Sequence, residues 1–276
     1  MLLTTLVLAP FVGSLLAALM PQNARNRESW LAIGVTVCGL LIGGLLFPQV
    51  ASGAVVRTEF AWLPAMGLNF ALRVDGLAWI FSMLVLAIGL LVVLYARYYM
   101  SAEDPVPRFF SFLLAFMGSM LGVVLSGNLV QLVVFWELTS LTSFLLIGYW
   151  HHRADARRGA RMAFTVTATG GLCLLVGVLL VGHIVGSYDL DAVLAAGDTI
   201  RAHALYLPAL VLVALGALTK SAQFPFHFWL PHAMAAPTPV SSYLHSATMV
   251  KAGVFLLVRL WPALAGTPEW TWLIGG

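Results

Sequence analysis

The sequence predicts an all-α polytopic membrane protein. Of its 276 residues, 61% are hydrophobic and only 9% are charged, which is too little charge to cover the surface of a soluble fold. The apolar residues form runs of about 17 to 23 residues, and about 20 residues of helix cross a hydrocarbon core about 30 Å thick. Transmembrane β-strands would instead alternate in hydrophobicity over segments of about ten residues.

We predict about eight transmembrane helices and the start of a ninth near Trp270. The predicted helices are Leu2 to Met20, Trp30 to Phe47, Leu77 to Tyr95, Phe109 to Leu125, Leu129 to Trp150, Met162 to Ile184, Tyr206 to Phe224 and Val240 to Leu260. Residues 189 to 203 are mixed in character and indicate a loop with one or two amphipathic turns.

The seventh predicted helix is broken near Pro225. Proline has no N–H, so it leaves the carbonyl of Ser221 without its helical partner. Within a membrane, a broken helix is tolerated only where protein or a wet cavity satisfies the freed backbone, and broken helices mark ion sites in transporters.

The positions of the arginines predict the orientation. Eight fall in one set of alternate connections and four in the other: Arg25, Arg27, Arg97, Arg108, Arg153, Arg157, Arg158 and Arg161, against Arg57, Arg73, Arg201 and Arg259. The positive-inside rule then places the first set in the cytoplasm and the N-terminus outside a bacterial plasma membrane. No basic stripe suggests a nucleic-acid partner, and the isolated Cys38 and Cys173 suggest neither a disulfide nor a metal site.

Three charged residues lie inside apolar runs. Glu137 and Lys251 fall near the middle of their predicted helices, where insertion of a charge costs about 2.5 to 3.5 kcal/mol. Lys220 lies closer to the end of its helix, so a lysine that reaches out to the membrane surface is an alternative there. Lysine can lose its proton when desolvated and arginine cannot, so these residues suggest a titrating ion path, with a structural ion pair as the other interpretation.

Two histidines are candidates for a proton relay. His227 follows the break, and His245 lies on the same predicted helix as Lys251. Histidine titrates near neutral pH and can both donate and accept a proton, although either residue is equally compatible with a core histidine.

Three strings carry a resemblance to a known family. FWELTS surrounds Glu137, LTKSAQFPFHFWLPHAM surrounds Lys220, and APTPVSSYLHSATMVKAG surrounds Lys251. They resemble the antiporter-like subunits shared by respiratory complex I and the multi-subunit Mrp cation/proton antiporters. The lysine followed by Ala-Gly is more similar to the A subunit of Mrp antiporters.

The resemblance implies a proton pathway through Glu137, Lys220, His245 and Lys251, and His227 is added to it as a candidate because it follows the break. We expect no cofactor and no metal ion. It implies H⁺ and Na⁺ as transported ions, a lipid bilayer as the setting and other membrane subunits of a hetero-oligomeric complex as partners. It also implies three regions: helices 1 to 3 in residues 1–108, a first antiporter-like repeat in 109–260, and the start of a further helix of a longer subunit in 261–276.

Three alternatives to a secondary transporter subunit stay open. The first is a proton-pumping subunit of complex I or of a membrane-bound hydrogenase, in which case the protein is a translocase. Such a subunit would use the same proton path, and a redox module would drive the pumping. A haem-binding electron carrier would need two histidines at matching depth, for which His183 and His245 are the candidates. A structural scaffold would keep the buried charges for assembly only.

Overall fold

The computed structural model describes residues 1–21, 25–63, 68–101 and 104–275. The chain is 79% helical, in agreement with the predicted helical membrane protein. The first part of the chain forms long helices: α1 (Leu2–Ala18), α2 (Arg25–Ala51), α3 (Gly76–Tyr99), α4 (Val106–Leu125), α5 (Leu129–Ile147) and α6 (Ala154–Val185).

The last third of the chain is built from shorter pieces. These are α7 (Leu190–Ala195), α8 (Gly197–Ala202), α9 (Tyr206–Lys220), a 3₁₀-helix (Phe226–Phe228), α10 (Trp229–Ala233), α11 (Thr238–Ser241), a π-helix (Ser242–Ala247), α12 (Met249–Arg259), α13 (Trp261–Leu264) and α14 (Pro268–Gly275). The predicted loop of residues 189–203 is thus two short helices, and the helix predicted to begin near Trp270 begins at Pro268.

Five of the described helices, α2 to α6, are long and apolar enough to cross a membrane. The apolar helices α1 and α9 are shorter, with 17 and 15 residues. The chain is therefore a multi-pass membrane protein, and the count of eight spans stays a prediction.

The connection between α2 and α3 forms an antiparallel β-hairpin, which the all-α prediction missed. Strand β1 (Val56–Leu63) pairs with β2 (Leu68–Val74), and Arg57 lies opposite Arg73. Apolar and charged residues alternate at the start of β1, which is the pattern of a half-buried strand. The segment is too short for a helical span, and for that reason it was expected to be a loop.

Helix α4 lies at the centre of the bundle, with 17 of its 20 residues buried. Glycines let its neighbours approach closely. A Cβ atom on Gly118 would lie 2.8 Å from the ring of Phe11 in α1, and one on Gly122 would lie 2.2 Å from the ring of Phe135 in α5. This close packing fixes the position of α5, which carries Glu137.

The break in the seventh predicted helix begins earlier than expected, since α9 ends at Lys220 and not at Phe224. Ser221 is the C-terminal cap, and Ala222 has a positive φ of 50°, a conformation that terminates helices. The chain resumes after Pro225 as the 3₁₀-helix and α10.

The eighth predicted helix, Val240 to Leu260, is interrupted. The π-helix occupies its first half, and Thr248 leaves helical geometry with φ −127° and ψ −77° before α12 begins. The Thr248 hydroxyl donates to the carbonyl of Tyr243 at 2.6 Å, which satisfies one acceptor beside the irregular turn. π-helical turns are rare and frequent at functional sites.

A network of ion pairs joins the hairpin to α7 at one end of the bundle. Arg57 binds Asp189 and lies 2.8 Å from Asp191, and Arg73 binds Asp191 at 2.7 Å. These arginines were predicted only as loop charges. Residue spacing did not predict the pairs because their members are more than a hundred residues apart.

Asp75 extends this network to α3 and α12. It caps α3 by accepting from the N–H of Ala78 at 2.9 Å, and it binds both Arg73 and the two terminal nitrogens of Arg259. Burial alone would raise the pKa of Asp75, but hydrogen bonds from Arg259, Ala78 and Arg73 together hold that pKa well below its usual value. The side chains of Arg73 and Arg259 are only 8% and 5% exposed. Among the salt bridges of the described residues, Arg259 has Asp75 as its one partner, whereas Arg73 shares Asp75 and Asp191.

We predict that Asp75→Asn lowers the free energy of unfolding by roughly 2 to 4 kcal/mol, because it removes the counter-charge of the buried Arg259 and one of the two counter-charges of Arg73. The stabilisation by Asp75 is fully present above about pH 4, the unfolded pKa, and is lost only as the pH falls through the lower folded pKa. Thermal unfolding of the purified subunit in detergent measures the loss. Asp198→Asn is the matched control, since Asp198 pairs with Arg201 at a fully exposed position; equal losses in both variants would contradict the prediction.

Candidate functional site

Lys220 lies at the centre of the candidate site. Its side chain is fully buried, with 0% exposure. The amine donates to the carbonyl of Trp136 at 3.1 Å and to the hydroxyl of Ser140 at 2.7 Å, and it lies 5.2 Å from the centre of the Trp136 ring. Both hydrogen bonds and the cation–π contact come from α5.

The depth of Lys220 excludes a side chain that reaches to the membrane surface. Trp136 and Ser140 are the eighth and twelfth of the 19 residues of α5, so they lie at the middle of that helix. Lys220 is the last residue of α9, but α9 ends inside the bundle and not at its surface. The alternative of a snorkelling lysine is therefore wrong.

Glu137 projects from α5 toward a gap in α6. Its Oε1 atom makes no hydrogen bond within the described residues. A Cβ atom on Gly171 would lie 1.5 Å from this oxygen, and one on Gly170 would lie 1.8 Å from the hydroxyl of Thr219. We call Gly170 and Gly171 the glycine notch. It brings the carboxylate and the end of α9 against the same turn of α6.

Glu137 and Lys220 are neighbours without a direct ion pair. Their charges interact, but the salt bridges among the described residues include none between them. This arrangement does not fit the structural ion pair considered above, because a buried pair is stable only with close and well-formed contacts. The lysine instead donates its hydrogen bonds to neutral acceptors.

Trp229 connects His245 to the end of α9. The Trp229 indole N–H donates to the carbonyl of Thr219 at 3.0 Å, and its ring meets the His245 ring edge-on at 6.0 Å. His245 is buried beside the backbone of Ala233, with neither ring nitrogen in a well-formed hydrogen bond among the described residues.

Lys251 lies on the exposed face of α12, whereas the sequence suggested a lysine inside the bundle. The buried face of α12 is formed by Met249, Ala252, Gly253, Phe255, Leu256 and Arg259, and Lys251 points away from it. The carbonyl of Val250 accepts a hydrogen bond from Ser221 at 2.7 Å. Since Ser221 follows Lys220, the two lysines lie at similar depth on different faces.

His227 and His183 do not join this cluster. His227 is exposed and stacks on Phe224 with ring centres 5.9 Å apart. His183 is exposed near the end of α6, away from the buried His245, so the pair needed for a haem is not formed.

Sequence reasoning missed Ser140, Trp229 and the glycine notch. Ser140 follows Glu137 by three residues and therefore shares its side of α5, a signal that was present in FWELTS. Paired glycines in an apolar run favour close helix packing, but they do not show which side chain fills the gap. Nothing in the sequence indicated the contact between Trp229 and His245.

These features define a polytopic membrane protein with a lysine and a carboxylate held at mid-depth beside a broken helix. Residues 126–275 match the family model described as NADH:quinone oxidoreductase/Mrp antiporter, TM, and residues 62–110 match the model for the complex I chain 5 N-terminus. The chain belongs to the NADH:quinone oxidoreductase/Mrp antiporter family of transmembrane proteins, which confirms the resemblance found in its motifs.

Similar proteins are subunits of antiporters. The chain is 66% identical over 274 residues to the A/B subunit of a probable K(+)/H(+) antiporter of Rhizobium meliloti, and 46% identical over 271 residues to the A subunit of the Na(+)/H(+) antiporter of Alkalihalophilus pseudofirmus. These matches cover 99% and 98% of this chain but 27% and 34% of the relatives. A solved structure of the Mrp complex from Dietzia sp. DQ12-45-1b matches with a TM-score of 0.87 and 34% identity, over 99% of this chain and 30% of that one.

The glycine notch gives a direct test of the position of Glu137. We predict that Gly171→Ala destabilises the protein by about 1 to 3 kcal/mol, because the new methyl group overlaps the Glu137 carboxylate. Gly44→Ala is the control, since a Cβ there meets nothing within 4 Å. In a Glu137→Ala background most of the Gly171→Ala cost should vanish. An undiminished cost in that background, measured by thermal unfolding, would show that the notch does not hold the carboxylate.

Proposed function

We propose that this chain is part of a membrane subunit of a multi-subunit cation/proton antiporter and that it carries protons through Glu137, Lys220, His245 and Lys251. One observation carries the proposal: a fully buried lysine at mid-depth, hydrogen-bonded only to neutral acceptors and adjacent to a carboxylate with an unpaired oxygen. Such a lysine can exchange a proton without breaking an ion pair.

The choice of residue type supports proton exchange. Lys220 and Lys251 are the only lysines in the chain, and all twelve other cationic residues are arginines. A cation needed only for charge compensation at these positions could be lysine or arginine. Arginine, however, keeps its proton at every physiological pH. Lysine is the residue that both carries a charge and releases a proton.

Glu137 is proposed to control the proton on Lys220. An ionised carboxylate nearby favours the ammonium form, and protonation or withdrawal of the carboxylate favours release. The glycine notch gives the Glu137 side chain a defined position, and Oε1 makes no hydrogen bond there within the described residues. The carboxylate therefore breaks no hydrogen bond of Oε1 when it moves or takes up a proton.

Onward transfer is proposed to run from Lys220 to His245 and Lys251 by way of water. Thr219 and Trp229 connect the end of α9 to His245, but an indole N–H only donates and cannot relay a proton. The π-helix and the irregular Thr248 leave backbone polar groups near His245 that are suited to holding water. His227 is kept as a candidate at the surface end of the route.

The exposed face with Lys251 is proposed to be covered by other parts of the same protein or complex. A lysine at the depth of Lys220 is costly against lipid, and this chain spans only 27% and 34% of the length of the two relatives. In this proposal residues 109–260 form the first of two antiporter-like repeats and residues 261–276 begin the next segment. We place the protein in a bacterial plasma membrane with its N-terminus outside.

The transported cation is proposed to be sodium or potassium, since one relative is named for each ion. A second candidate is a proton-pumping subunit of a redox complex, favoured by the match of residues 62–110 to the complex I chain 5 N-terminus. Antiport driven by an imposed gradient of Na⁺ or K⁺, without an electron donor, distinguishes the first candidate from the second.

The test of the proton path is a double-mutant cycle on Glu137 and Lys220. Lys220→Ala should reduce antiport to background, and Glu137→Gln should shift the half-maximal pH downward by about one unit or more, because the ammonium loses a favourable charge. The double variant should be no worse than Lys220→Ala alone. Cation-dependent pH changes in vesicles holding the assembled complex give the profiles.

Glu269→Gln is the matched control for that cycle, since Glu269 is an exposed glutamate in α14. Subunit content on a gel separates loss of transport from loss of assembly. A wild-type pH profile in Glu137→Gln would remove the carboxylate from the mechanism, and normal antiport in Lys220→Ala would overturn the proposal.

Lys251 is tested by a substitution that keeps its charge. We predict that Lys251→Arg leaves the complex assembled but lowers antiport at least tenfold, because arginine holds its proton. If transport by Lys251→Arg equals the wild-type rate while Lys251→Gln fails to assemble, Lys251 is a structural cation and not a member of the path.

A further inference from the structure

The end of the bundle opposite the ion-pair network carries arginines without acidic partners. Arg108 of α4 and Arg157 and Arg161 of α6, together with His151, line a cavity of about 360 Å³. We call these four residues the arginine pocket. The salt bridges among the described residues include Arg153 with Asp155 close by, but none for the three arginines of the pocket.

Backbone carbonyl groups orient the guanidinium groups without neutralising them. Arg108 donates to the carbonyl of Tyr149 at 2.6 Å and lies 3.2 Å from Nδ1 of His151, and its Nε is buried with no partner among the described residues. Arg157 donates to the carbonyls of His151 and His152 at 2.7 and 3.1 Å, and Arg161 makes one bond to the carbonyl of Arg157. Each guanidinium has five N–H donors, so the terminal nitrogens that these contacts do not use stay available for an anion.

The floor of the pocket is apolar and continues along the outside of the bundle. Phe112, Phe144, Leu145 and Ala160 line it. One turn further along the outward face of α5, Leu141 is 46% exposed, and Val134 beyond it is 49% exposed. The pocket therefore joins a cationic upper part to an apolar stripe that runs toward the middle of the membrane.

We propose that the arginine pocket binds the phosphate of an anionic phospholipid, with one acyl chain along the α5 stripe. The pocket lies where α4 and α6 begin and α5 ends, which is the level of lipid headgroups in a membrane-spanning bundle. Arginine forks bind phosphate oxygens in pairs, and basic pockets between transmembrane helices select anionic headgroups. The apolar stripe favours a lipid over free phosphate. This site is independent of the proposed proton path.

The test compares lipid retention in two variants with equal charge loss. The intact purified complex is incubated with dioleoyl phosphatidylglycerol or dioleoyl phosphatidylcholine in detergent, and bound lipid is counted by native mass spectrometry. Arg157→Gln with Arg161→Gln should weaken phosphatidylglycerol binding about tenfold or more. Arg153→Gln with Arg158→Gln, which removes two arginines outside the pocket, should leave it unchanged. Phosphatidylcholine should not compete, and excess inorganic phosphate should not displace the lipid.

Equal weakening in both double variants would overturn the site, as would equal retention of the two lipids or displacement by inorganic phosphate alone. The Arg157→Gln, Arg161→Gln complex could instead lose another subunit while it retains phosphatidylglycerol. That result would identify an acidic protein segment as the occupant of the pocket and would also overturn the lipid proposal. If that double variant does not fold, Arg161→Gln alone is compared with Arg158→Gln, because Arg161 makes only one backbone bond. Identical lipid retention in these single variants would reject the proposal.

Discussion

The burial of the Lys220 ammonium at mid-depth is the constraint on which the rest of the structure depends. A charge there requires acceptors, and α5 supplies them through the Trp136 carbonyl and the Ser140 hydroxyl. Because Lys220 is the last residue of α9, the negative end of that helix also lies beside its own lysine. α9 can reach this position only by close packing on α6, where a Cβ on Gly216 would lie 2.6 Å from that of Leu174.

The ion-pair network at one end of the bundle and the candidate site at its centre differ in how completely their polar groups are hydrogen-bonded. Asp75 and Arg259 hold α12 to α3 at one end through two hydrogen bonds in a buried network, so α12 has a fixed anchor. In the centre, by contrast, Glu137 and His245 each keep an unpartnered polar atom within the described residues. Buried polar groups are rarely unpaired in folded proteins, and such groups are expected where water or a moving proton has to enter. The ion-paired end thus anchors a centre whose buried polar groups are incompletely paired, as the proposed proton path requires.

The sequence predicted the membrane fold and the central charges because both follow from composition. Long apolar runs with few charges permit little besides helical spans, and a charge within such a run is visible at once. The hairpin, the early end of α9 and the outward position of Lys251 could not be predicted in the same way, because each is decided by packing between distant segments. The exposure of Lys251 depends on which face of α12 packs against α9. Gly253 determines that face, because its lack of a side chain lets α12 approach α9 closely: a Cβ there would lie 2.2 Å from the Ala217 carbonyl.

The hydrogen bonds of Lys220 also limit how a proton can leave it. A hydroxyl can donate or accept, so Ser140 satisfies the amine in either protonation state, whereas the Trp136 carbonyl only accepts. Both partners lie on the α5 side, and Trp229 stands between the end of α9 and His245 with its only donor already bonded to Thr219. The indole of Trp229 therefore cannot relay a proton from Lys220 to His245. In the proposed path, a proton from Lys220 would travel on water around the indole, or the lysine side chain would first move away from α5. In the second case the charge on Glu137 would control when the amine releases its proton.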